Sequence, residues 1–193
     1  MTKVVVRAAI ATIVLAFITG LLYPLVITAV AQLGLGDRAD GSLVTVDGRV
    51  VGSSSIGQTW SGDRWFYGRP SVVDDDATTS SGSNLGPSSS ELADDLRVRG
   101  QAILKLEGPY TPGLTIRDVP VDLLTSSASG LDPDISEAAA MLQVPRIAVV
   151  RGLSEDAVRS LVREHVQGPD LGFIGESRVN VLELNLALDR LGQ

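Results

Sequence analysis

The chain has 193 residues, a formal charge of −7, one histidine and no cysteine. Without cysteine there is no disulfide framework, thiolate metal site or cysteine nucleophile, and one histidine cannot build a multi-histidine metal centre. The acidic balance argues against nucleic acid as a partner, because phosphate backbones are held by basic patches.

Residues 8–32 carry no charged side chain, and about 20 such residues in a helix already cross the hydrocarbon core of a bilayer. This stretch is read as a transmembrane helix that passes once through the cell membrane. Lys3 and Arg7 precede it, while Asp37, Arg38 and Asp40 follow. Basic flanks stay in the cytoplasm, so residues 1–7 are expected inside and residues 33–193 are expected to form an extracytoplasmic domain. The alternative is a cleaved signal peptide ending at Ala29-Val30-Ala31, but signal peptides have an apolar run of about 7 to 15 residues, shorter than this one. Within the span, Ala8, Thr12, Ala16 and Gly20 recur at every fourth position, a row of small side chains that lets a neighbouring helix approach closely. Pro24 continues the row and is expected to bend the helix, since it lacks a backbone donor and crowds the preceding turn.

All 23 acidic residues lie after the span, with every basic residue except Lys3 and Arg7, so that part carries −9. Its length suits one domain held by a hydrophobic core alone. Gly34-Leu35-Gly36-Asp37 is expected to end the helix. Ser42–Val46 and Arg49–Val51 flank Asp47-Gly48, the signature of a hairpin whose tight turn needs positive φ. Trp60, Trp65, Phe66 and Tyr67 gather half of the chain's aromatic side chains and are expected in the core. Residues 71–90, with Asp74-Asp75-Asp76 and a serine-rich run, read as a flexible, solvated loop, because the aspartates lack the alternation of a calcium loop.

Ser88 and Glu91 have the spacing of a capping box. They open a helix with Leu92, Leu96, Val98, Ala102, Ile103 and Leu106 on its apolar face and a stop at Gly108-Pro109. Val119–Thr125 reads as a strand, at an edge or beginning at Val121, because Pro120 cannot donate to a ladder. Asp134 or Ser136 is expected to cap an alanine-rich helix that Pro145 breaks or kinks. Ser154 opens a further helix, with Val158, Leu161, Val162 and Val166 as its stripe and Gly168-Pro169 as its stop. At the end, Val179, Val181, Leu184, Leu186 and Leu188 partly alternate as a strand would, yet Asn180 and Glu183 form a capping pair; a helix is expected. The fold class is α+β: one N-terminal transmembrane helix, then a single extracytoplasmic α/β-type domain with a small sheet and several helices.

Motifs for bond-breaking chemistry are missing. There is no phosphate-cradling Gly-x-x-x-x-Gly-Lys-Ser/Thr, no Gly-x-Gly-x-x-Gly and no Gly-x-Ser-x-Gly. His165 falls at the end of a helix, where interaction with the helix dipole accounts for it as simply as a catalytic triad would. Asp132 with Asp134, and Asp94 with Asp95, occupy turn and helix-surface positions where capping or solvation explains them. From the residues alone, a membrane-anchored extracytoplasmic binding or sensor module remains an alternative to a subunit of a membrane complex.

Eight motifs occur in order: Gly20-Leu21-Leu22-Tyr23-Pro24-Leu25, Gly41-Ser42-Leu43, Ile56-Gly57-Gln58, Phe66-Tyr67-Gly68-Arg69-Pro70-Ser71, Ser81-Gly82-Ser83-Asn84-Leu85, Ser127-Ala128-Ser129-Gly130-Leu131-Asp132, Gln143-Val144-Pro145-Arg146, and the run from Val179 to Asp189. Together they resemble the C subunit of Kdp-type potassium-transporting ATPases, the KdpC family, over nearly the whole chain. The resemblance implies a non-catalytic accessory subunit of a high-affinity potassium import complex. Its partners would be a channel-like potassium-translocating subunit, a P-type subunit that hydrolyses ATP, and the lipid bilayer. ATP and potassium would be handled by the complex, with no cofactor bound tightly by this chain. The family is also described as a catalytic chaperone that raises the ATP affinity of the hydrolysing subunit, with the glutamine matching Gln143 proposed to touch nucleotide. The charge rule places Gln143 outside the membrane, so an effect on cytoplasmic ATP would pass through the complex as coupling between sites. Gly68, Arg69, Pro70, Ser71, Ser83, Asn84, Gly130, Asp132, Pro145, Asn180 and Asn185 are the motif residues expected to shape the domain or its interfaces.

Overall fold

The uncharged stretch folds as one helix from Thr2 to Ala39, made of α1 (Thr2–Phe17), a π turn (Ile18–Leu22) and α2 (Tyr23–Ala39). In this computed structural model, which describes residues 1–192, the chain divides into Met1–Leu43 and a second unit beginning at Val44. No residue of α1 or α2 is buried within the protein, and the helix is long and apolar enough to cross a membrane. The π turn lies immediately before Pro24, and the Tyr23 amide reaches back to the Ile18 carbonyl. A proline clashes with the carbonyl four residues earlier, and widening the turn relieves that crowding. Helical geometry is interrupted at Leu35, where φ is −138° and ψ is 32°. The helix therefore breaks where Gly34 and Gly36 predict, then resumes to Ala39 instead of ending there.

The second unit begins with a hairpin, β1 (Leu43–Val46) and β2 (Arg49–Ser53). Asp47 and Gly48 take φ of 50° and 75°, as the two-residue turn requires. An extended strap without helix or strand then carries the aromatic residues.

The loop from 71 remains irregular until α3 (Ser90–Glu107). Ser89, not Ser88, caps this helix by accepting from the Leu92 amide at 3.4 Å. Val98 and Ala102 face outward, and Gly100 and Glu107 take their place on the buried face. The expected strand at Val119–Thr125 is instead a 3-10 turn (Ile116–Asp118) followed by the one-turn helix α4 (Val121–Leu124). Pro120 enters with φ −56°, and the turn brings the Asp122 carboxylate to the amide and hydroxyl of Ser136 at 2.7 and 3.2 Å. Burying Leu123 completes the preference for a turn.

β3 (Asp134–Ile135) leads into α5 (Glu137–Arg151), capped by Ser136. The helix continues unbroken past Pro145, where a break or kink is expected. The missing donor costs about 3 kcal/mol or more, but Val144 and Ile147 beside it are wholly buried, and each such side chain returns about 1.5–3 kcal/mol. α6 (Glu155–Glu164) starts on Ser154 as expected, yet ends at His165, so Val166 belongs to β4 (Val166–Gln167) rather than to the helix stripe. Both readings of the C-terminal run hold in part. β5 (Arg178–Asn180) precedes α7 (Val181–Leu191), and Asn180 caps α7 by accepting from the Glu183 amide.

β5 is the centre of a three-stranded antiparallel sheet, with Asp134 opposite Asn180 and Val166 opposite Val179. The core gathers Ala139, Ala140, Val144 and Ile147 of α5, Val158 and Val162 of α6, Leu184 and Leu188 of α7, and Phe66 of the strap.

Candidate functional site

Two of the residues singled out by motif, Gln143 and Asn185, converge on the strap from Asp63 to Arg69. An extended strap needs partners for its backbone groups, and side-chain amides supply them. Asn185 of α7 accepts from the Phe66 amide and donates to the Phe66 carbonyl, both at 2.9 Å. Gln143 of α5 does the same at Tyr67, at 2.8 and 3.1 Å. Its Nε2 also donates to Ala139 O, and its Oε1 accepts from Arg146 Nη2 at 2.9 Å. Gln143 is 2 % exposed, and all of its donors and both acceptor positions are engaged inside the domain.

Beneath the strap lies an ion pair that motif spacing does not signal. Arg146, fully buried, donates from Nε to Glu107 Oε1 at 2.9 Å. Its Nη1 meets the carbonyls of Trp65, at 3.0 Å, and Asp63. Its guanidinium lies 5.2 Å from the Tyr67 ring centroid. Burial pushes the Glu107 carboxyl above its usual range, against the pull of Arg146. A charged residue amid the apolar run from Val144 to Ala148 is the one local hint of this pair.

On the other side of the strap, Arg69 pairs with Asp132 at 3.0 Å and reaches the Thr125 and Ser126 carbonyls. The pair forms a wall between two clefts. The first, about 200 Å³, is lined by Gln58, Thr59, Trp60, Tyr67, Asp75 and the start of α7. The second, about 300 Å³, has Asp122, Asp134, Glu176 and Arg178 around it. Asp75 accepts from Thr59 at 3.1 Å and is pushed above its usual range by burial; burial does the same to Asp134, opposed by the Asn180 bond. Thus Asp74 and Asp76 are exposed while Asp75 turns inward.

Ser71 closes the rim of this region. Its hydroxyl donates to Gly130 O at 2.7 Å and accepts from the amides of Val73 and Asp75. Gly130 has φ +70°, and a Cβ there would lie 2.7 Å from Ser81 O, so glycine is required by both conformation and space. A Cβ on Gly57 would meet Asp132 O at 2.7 Å. The Ser127 amide donates to Pro70 O, and the Ser81 amide to Ser129 O; these bonds stitch the irregular 71–89 segment to the 127–132 turn. Ser83 and Asn84 stay exposed on that segment and do not join the clefts. Gly68 lines the first cleft, and Pro145 lies half-buried within α5. Asn180 ties β5 to the hairpin by donating to Ser54 O at 2.8 Å.

Ala8, Thr12, Ala16, Gly20 and Pro24 are all exposed along the first helix, and nothing approaches a Cβ placed on Gly20 within 4 Å. Four residues overshoot a 3.6-residue turn by about 40°; the π turn holds more residues per turn and reduces that drift around Gly20. His165 ends α6 with Nδ1 2.8 Å from Leu161 O. Among the described residues, no group of three or more His, Asp or Glu side chains is arranged to hold a metal ion.

A sequence profile described as "KdpC: K+-transporting ATPase, c chain" matches residues 5–190. The chain is 50% identical to the potassium-transporting ATPase KdpC subunit of Methylobacterium nodulans, covering 93% of this chain and 92% of that one. It is also 50% identical to the KdpC subunit of Bradyrhizobium diazoefficiens, over 92% of each. The KdpC subunit of Caldanaerobacter subterraneus subsp. tengcongensis is 47% identical, over 92% of this chain and 90% of its own. With the profile spanning almost every residue and three relatives near 50% identity over nine-tenths of the chain, the chain belongs to the KdpC family, the c chain of the K+-transporting ATPase.

Proposed function

We propose that this chain is a non-catalytic accessory subunit of a Kdp-type potassium import complex, anchored by residues 8–32 with its N-terminus in the cytoplasm and the domain from Val44 outside. The channel-like potassium-translocating subunit and the ATP-hydrolysing subunit are its partners; ATP and potassium are theirs to handle. The carrying observation is the uncharged run of residues 8–32 in the first helix, exposed but for half-buried Ala31, with an open row of small residues. Such a row is the surface on which helices pack in lipid. The basic flank at Lys3 and Arg7 supports the orientation. Gln143, spent on Tyr67 and Arg146, acts as a clasp of the domain. A rise in ATP affinity of the hydrolysing subunit then runs through the assembled complex as coupling between sites.

Two experiments test this reading. Because the chain has no cysteine, a single Ser88→Cys gives one label site at an exposed position; a membrane-impermeant maleimide should reach it in intact cells, and labelling only after lysis would overturn the orientation. Gly20→Leu should lower co-purification of the channel-like subunit in detergent, and undiminished recovery would remove the packing row.

A further inference from the structure

A third cavity, of about 160 Å³, opens beside α3, walled by Ala102, Ile103, Leu106, Leu123 and Tyr67, with Glu107 and Gln143 also lining it. Its lining is mostly apolar, yet it contains one unmet polar demand. Glu107 is 2 % exposed; its Oε1 receives Arg146, while its Oε2 is buried and has no hydrogen-bond partner among the described residues. A buried acceptor left unpaired costs about 1–3 kcal/mol, more when it is charged. The charge around it is uneven too. Asp63 meets Arg146 through its main-chain carbonyl, and its negative charge is near enough to push the Glu107 carboxyl further up. Gln143 contributes no free donor, since its amide is fully used on Tyr67, Ala139 and Arg146.

We infer that this cavity is a binding site for a primary aliphatic ammonium ion, with Glu107 Oε2 as acceptor and the side chains of Ile103, Leu106 and Leu123 around the carbon chain. The cation supplies the missing donor and offsets the negative charge that Asp63 adds nearby. A cavity of about 150 Å³ admits benzene, with six heavy atoms, so a chain of four or five carbons with its ammonium fits here. Two sources share this chemistry: a lysine side chain of another subunit, or a free amine. The inference is independent of the orientation proposed above.

The test is titration of the full-length ¹⁵N-labelled chain in detergent with n-butylammonium chloride, with n-butanol as the uncharged control. Saturable shifts of the Tyr67, Gly68 and Leu106 amides with butylammonium, and at least about tenfold weaker binding of butanol, are expected from loss of a charge-assisted bond. Glu107→Gln, which keeps an oxygen for Arg146 Nε, should weaken butylammonium by a similar factor. Ala102→Leu fills the mouth from an exposed helix position without touching the ion pair, and should abolish the shifts. Equal binding of butanol, unchanged binding in either variant, or shifts confined to other residues would overturn the inference, including the outcome of a cavity that holds water alone. In the assembled complex, loss of butylammonium binding identifies a partner's lysine as the occupant, and retained binding identifies a free amine.

Discussion

Replacing Gln143 with leucine separates a clasp from a nucleotide contact. The substitution keeps the bulk but removes the bonds to the Tyr67 amide and carbonyl and to Arg146 Nη2; the Ala139 carbonyl still has its helical partner. The Tyr67 groups are partly buried, so each costs about 1 kcal/mol when left unpaired, and the guanidinium nitrogen up to about 3 kcal/mol. The sum, about 3–5 kcal/mol, is a large share of the roughly 5–15 kcal/mol that holds a domain together. For a chain of this size each kcal/mol moves Tm by about 2–4 °C, so the variant should melt on the order of 10 °C lower. The assay is thermal unfolding of the full-length chain in detergent, followed by near-ultraviolet circular dichroism of the Trp60 and Trp65 region. A Tm within about 2 °C of wild type, together with a weaker ATP effect in the complex, would refute the clasp and return Gln143 to the nucleotide.

Asn185→Leu removes both bonds to Phe66 and should cost about 2–4 kcal/mol, measurable by chemical denaturation as a lower midpoint with unchanged slope. Gly130→Ala forces a side chain into a left-handed residue against Ser81 O; about 1–3 kcal/mol of destabilisation is expected, whereas Gly48→Asn, which suits its turn, should stay within about 0.5 kcal/mol. Glu107 has a carboxyl pushed up from 4.5 by burial, so the folded state holds its proton to higher pH than the unfolded chain. The stability of wild type relative to Glu107→Gln should therefore be greatest below about pH 4.5 and decline as pH rises through the folded value; a difference that grows with pH would contradict the assignment.

Signals that act within one turn of chain were legible in the sequence. Asp47-Gly48 makes its hairpin, Ser154 caps α6, Gly108 stops α3, and the uncharged run makes one helix. Signals decided by distant packing were not. Pro145 breaks an isolated helix, but in this core the neighbouring side chains outweigh it. Val119–Thr125 has strand-forming residues, yet Asp122 finds Ser136 and Leu123 finds the core only through a turn. The motif residues Gln143, Asn185, Arg69 and Asp132 were recognisable, while their partners were not: the strap backbone and Glu107 are reached across long stretches of chain.

The amides that grip Phe66 and Tyr67 have a consequence for solubility. An extended segment with unpaired peptide groups is a template on which another chain can lay itself down. Here two glutamine-like hands from separate helices cover those groups, and no neighbouring strand is needed. A variant lacking either hand would bare those groups whenever the strap lifts from the core, so it should clump at high concentration under conditions where the dilute chain still refolds.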